Sequence, residues 1–189
     1  MRFLHYRRLL LALPLSWAAD RVLAQTPQAA LRDSLVKAAF LHKFASFVEW
    51  PAGVLDTPES QLRIGVLGDE QVYQDLAELA RDRSRDGRQV TAILLLPGDS
   101  FAGLHILYAR GDAARIASVL SRVPEGVLTV ADSQGAHPPG SVLSFYLEDG
   151  RVRFGASQQA AARQKLRLNA RLLSVAKVVG GDSTISDLA

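Results

Sequence analysis

The chain has 189 residues, 48% of them hydrophobic, with 22 basic and 19 acidic side chains and no cysteine. The apolar content excludes a disordered chain and suits one core, and the missing thiols exclude disulfides, thiolate metal sites and cysteine catalysis. The excess charge of +3 belongs to residues 1–24, where Arg2, Arg7, Arg8 and Arg21 face only Asp20; the remaining 165 residues carry 18 charges of each sign, so no nucleic-acid partner and no anionic membrane follows from the basic balance.

The N-terminus has the layout of a cleavable secretory signal. A basic start precedes the apolar run Leu9–Ala19, and Val22-Leu23-Ala24 offers the small side chains that a signal peptidase reads, leaving Gln25 as the new N-terminus. The run is shorter than the about 20 residues that span a bilayer. A retained anchor is the alternative, and Arg7-Arg8 leaves the twin-arginine route open beside the Sec route. The expected organisation is a signal over 1–24, a flexible polar leader over 25–33, one domain over 34–181 and a loose tail over 182–189, with the periplasm as the destination.

A helix is expected from Ser34 to Glu49, with Val36, Phe40, Phe44, Phe47 and Val48 on one apolar face; Pro51 ends it by disfavouring helical geometry at Trp50. Leu62–Leu67 has the pattern of a strand, turned by Gly68-Asp69 into a helix over 70–82. Residues 81–88 form a mixed-charge loop. Val90–Leu96 and Leu104–Tyr108 are strands, Asp112 caps a helix running to about Val123, and Val127–Val130 is another strand. Apolar strands alternating with helices imply a largely parallel sheet. Further on, Asp149-Gly150 between Ser141–Leu147 and Arg151–Ala156 is a hairpin signature. A short helix over 158–164, an extended piece at Leu166 and Leu168, and a final helix from Asn169 to Val179, stopped by Gly180-Gly181, complete the domain. The expected fold class is therefore α/β: a single domain with a mixed, largely parallel sheet, flanking helices and a C-terminal β-hairpin.

Chemistry is sparse. Gly65 and Gly68 lack the three-glycine spacing that cradles pyrophosphate. Asp69 and Asp132 each follow a strand, where they either form turns or line a crevice at the strand carboxyl ends. His42, His105 and His137 lack the paired spacing of a zinc helix or a neighbouring nucleophile. No catalytic residue, metal ligand or cofactor is assigned. Lys37 falls inside the apolar stripe of the first helix, either snorkelling past the first turn or joining a buried ion pair. Trp50, Leu166, Leu168 and the apolar final helix are core or a protein-contact surface.

The segments Val36–Pro51, Ile64–Asp69, Leu104–Tyr108, Leu128–Asp132, Gly150–Phe154, Ala160-Ala161 and Leu166–Val179 resemble, in order, the YfiR family of exported regulators, which includes the HmsC type. The resemblance implies a periplasmic α/β repressor, not an enzyme, that binds the periplasmic sensor region of an inner-membrane diguanylate cyclase, limits cyclic di-GMP and biofilm, and is sequestered by an OmpA-like outer-membrane lipoprotein. It also implies possible homodimers and an apolar partner pocket, which falls here on Leu166, Leu168, Asn169, Ala170 and Leu173, with Trp50 beside it. Two departures stand out. The cysteines of the family are missing, so redox control does not carry over, and Gly155 follows Phe154 where an acidic residue is common. The alternative function is a non-catalytic small-ligand sensor in the cell envelope, using the crevice near Asp69 and Asp132 or the C-terminal apolar pocket.

Overall fold

In a computed structural model that describes residues 27–55, 60–81 and 89–179, the first helix, α1 (Pro27–Phe44), starts seven residues before Ser34. Proline is tolerated in a first turn, where its missing N–H has no intrahelical partner. Ser34, Lys37, Ala38, Leu41 and Phe44 form its buried face at three-and-four spacing. Val36, expected in that stripe, is 40% exposed, because the buried arc is centred one residue further on. The helix also stops earlier than expected. A 3-10 turn over Ala45–Phe47 leads into β1 (Val48–Glu49), which pairs antiparallel with β8 (Arg167–Leu168). That distant strand pulls Val48 and Glu49 out of the helix. The proposed export signal and the C-terminal tail lie outside the described residues, as do residues 82–88 of the loop expected over 81–88, while Arg81 ends a helix.

The remaining elements are β2 (Leu62–Leu67), α2 (Glu70–Arg81), β3 (Val90–Leu95), β4 (Ile106–Arg110), α3 (Ala113–Leu120), β5 (Leu128–Asp132), β6 (Leu143–Glu148), β7 (Arg151–Ala156), α4 (Gln158–Arg163), α5 (Ala170–Leu173) and β9 (Lys177–Val178). They build a seven-stranded sheet in the order β3-β2-β4-β5-β6-β7-β9. The first five are parallel, β7 returns antiparallel to β6, and β9 runs parallel to β7. The expected α/β class with a C-terminal hairpin is the observed one. No described helix is long and apolar enough to cross a membrane.

Two apolar layers sandwich the sheet. On one face Phe40 and Phe44 of α1 meet Phe145 and Phe154, with Phe44 edge-on to Phe154 at 5.1 Å between ring centroids. Val72 and Leu76 of α2 extend the same core. On the other face Ile116 and Leu120 of α3 pack with Leu95, Phe101, Leu104 and Leu107. The hairpin turn has φ of 50° at Asp149 and 69° at Gly150, the positive pair that a two-residue type I′ connection demands.

The end of the chain corrects the expected final helix. Asn169 does cap a helix, its Oδ1 accepting from Arg171 N at 2.8 Å, but α5 ends at Leu173. The chain then turns and re-enters the sheet, where Lys177 pairs with Gly155 and Val178 with Ala156, and Val179 N donates to Ala156 O at 2.9 Å. An apolar run does not distinguish a buried helix from a strand. Here the edge that β7 offers and the β-branched Val178 and Val179 favour the strand.

Candidate functional site

The chain leaves β2 for β3 on one side and returns to β4 on the other, so the strand carboxyl ends part beside β2, where open α/β sheets form their crevice. Gly68 makes the turn out of β2 with φ of +84°, and a Cβ there would stand 2.5 Å from Arg110 O, so only glycine fits. Asp69 follows and caps α2, Oδ1 accepting from Val72 N at 3.1 Å. β4 contributes Tyr108 and Arg110, β5 contributes Asp132, and α1 places Lys37 over them.

These side chains form one network. Lys37 Nζ donates to Asp132 Oδ2 at 2.8 Å, with both side chains close to fully buried. The Tyr108 hydroxyl donates to the same oxygen at 2.7 Å and stands 3.4 Å from Asp69 Oδ2. Arg110 reaches Asp69 Oδ2 at 2.5 Å. Each carboxylate thus has its own cation, and the tyrosine bridges them. Burial, then the charges of Asp132 and Asp69, push the Tyr108 phenol well above 10, so it stays protonated as a donor. The hydrogen bond to Asp69 raises Arg110 further, against the opposing effect of its partial burial.

Asp69 and Asp132, which the sequence leaves as turn formers or crevice residues, are brought together, and Asp69 does both jobs. Lys37 is in a buried ion pair. Tyr108 and Arg110 were not singled out from the sequence. A tyrosine in an apolar strand whose hydroxyl needs a buried partner was the available signal. His137 lies elsewhere, hydrogen-bonded with Ser144 and the Ser141 backbone, and burial lowers its pKa against that second bond. Among the described residues no three His, Asp or Glu side chains cluster to hold a metal ion.

The expected contact residues lie around the β1–β8 pair and the last turns of the chain. Trp50 is half-buried, edge-on to His105 at 6.2 Å, and its buried Nε1 has no hydrogen-bond partner among the described residues. His105 Nδ1 accepts from Arg63 N at 3.0 Å. Leu166 is a core side chain at 3% exposure. Leu168 is half-buried opposite Val48, Asn169 N donates to Phe47 O at 2.9 Å, Ala170 is exposed and Leu173 half-buried. Beyond them Val175 and Val178 are 70% and 54% exposed, on or next to the last strand of the sheet. Across the ladder from Lys177 stands Gly155, the position where the resemblance leads one to expect an acid.

A family model described as YfiR/HmsC-like matches residues 34–177. No curated protein matches the chain.

Proposed function

The chain belongs to the YfiR/HmsC-like family, and from that membership we propose that it is a periplasmic repressor of an inner-membrane diguanylate cyclase. It holds the cyclase's periplasmic sensor region in an inactive state by binding that state more tightly. Trp50, Leu168, Asn169, Ala170 and Leu173 make the contact surface, and Leu166 anchors it from within the core. The observation that supports this reading is the exposure of Val175, in the turn after α5, and of Val178, on the edge strand β9, since valines left in water carry a cost that a partner removes. The apolar run Leu9–Ala19 and the Val22-Leu23-Ala24 site supply export. A second copy of the chain and an OmpA-like outer-membrane lipoprotein are the competing occupants of the same surface.

Deleting the gene in a host with a periplasmic-loop cyclase raises cyclic di-GMP, and the intact gene restores it. An unchanged nucleotide level rejects the reading. A gene carrying Leu168→Asp fails to restore repression although its product accumulates normally.

A further inference from the structure

Toward the β3 end of the sheet, away from β9, an open groove of about 440 Å3 lies between the end of β2, the Leu96-Pro97 turn, the end of β4 and the first turns of α3. That volume falls within the range of small-molecule sites, about 300–1,000 Å3. Leu67, Leu96, Ile116 and Val119 give it apolar walls, and Asp69, Glu70, Arg110 and Arg115 give it charge. The four charges are not equally presented. The Asp69 side chain is 7% exposed and engaged by Val72 N, Tyr108 and Arg110. Glu70 accepts from Gln74 one turn along α2, at 3.5 Å. Arg110 keeps 54% of its side chain exposed while Asp69 fixes one of its nitrogens. The stem of Arg115 runs beside the end of β4, since a Cβ at Gly111 would stand 3.8 Å from Arg115 Cδ.

We propose that this groove binds a small carboxylate carried on an apolar body, with Arg110 and Arg115 on its head and Leu67, Leu96 and Val119 on its body. The held guanidinium of Arg110 presents a planar fork to a planar head, the geometry in which arginine exceeds lysine. Glu70 at the rim and the occupied edge of Arg110 favour a monoanion over a polyphosphate. The inference does not rest on the repressor reading, because its test measures binding alone.

The probe is 4-phenylbutyrate, compared with the uncharged 4-phenylbutyramide, titrated into the isotope-labelled protein and followed by the backbone amide resonances of Gly68, Leu96 and Gly111. The acid produces saturable shifts there, with a dissociation constant on the order of 1 mM, as a ligand of this size allows. The amide binds about tenfold more weakly for want of the charge-assisted bonds. Arg115→Gln, on an exposed first turn, weakens the acid about tenfold and leaves the amide unchanged. Val119→Trp fills the groove and abolishes both; if it does not fold, Arg115→Gln and the acid–amide pair decide alone. Equal binding of acid and amide, shifts centred on Trp50 or Leu168, or no saturation by about 10 mM overturns the proposal.

Discussion

At the carboxyl ends of β2, β4 and β5, charged side chains are tied to one another beneath α1, whereas on the β7–β9 flank Val175 and Val178 lie 70% and 54% exposed. The first region buries Lys37, Tyr108 and the two carboxylates and gives each a partner; the second has apolar groups outside and uncovered. Buried charge is tolerated only in a closed set, so Lys37, Asp132, Tyr108, Asp69 and Arg110 specify how α1 sits on the sheet. An apolar flank specifies nothing within the chain and is available to a partner. One region therefore reports on folding and the other on recognition, and substitutions separate them.

Lys37→Ala has the largest expected effect. It leaves Asp132 buried without its cation and costs about 3–5 kcal/mol, read as a lower urea midpoint at unchanged slope. Lys37→Met combined with Asp132→Asn recovers much of that, because no bare charge remains. A loss below about 1 kcal/mol for Lys37→Ala would mean that the pair behaves as a surface pair, and the contrast between the regions would fail.

Leu166→Ala comes next, at about 2–5 kcal/mol from a cavity under β8, while Leu168→Ala, half-buried on the adjacent strand, costs less. Equal losses by thermal or urea unfolding would erase the boundary between core and contact surface that runs between these two residues.

Tyr108→Phe removes the bridge between the carboxylates at about 1–3 kcal/mol. It also changes the alkaline limb of stability. The folded-state pKa of Tyr108 is raised, so its contribution is complete below the unfolded value of about 10 and is lost as pH rises above it. Urea unfolding at pH 9 and pH 11 shows a smaller alkaline loss in Tyr108→Phe than in the parent; parallel losses contradict the burial of the phenol.

Val175→Asp and Val178→Asp are the smallest in stability, within about 0.5 kcal/mol, since both side chains already meet water. Their effect falls on repression: variants that melt with the parent yet fail to lower cyclic di-GMP place the contact on this flank. Intact repression by both moves it elsewhere.

The α/β class, the Asp149-Gly150 hairpin, the caps at Asp112 and Asn169 and the anomalous position of Lys37 were legible in the sequence, because each depends on a short-range rule: periodicity, turn chemistry or side-chain capping. The end of α1 and the fate of residues 174–179 were not. Val48 leaves the helix because Leu168, far along the chain, pairs with it, and Lys177-Val178 becomes a strand because β7 has an open edge. The same division holds for the polar network. Sequence placed Asp69 and Asp132 after strands and Lys37 on a buried helix face, and the parallel order β2-β4-β5 then set Tyr108 between the two carboxylates. Local propensity acts over a few residues, while hydrogen-bond ladders join residues as distant as Val48 and Leu168 and the Lys37–Asp132 charge pair spans 95 positions; which partner a strand edge or a buried charge finds is decided only when the whole sheet has assembled.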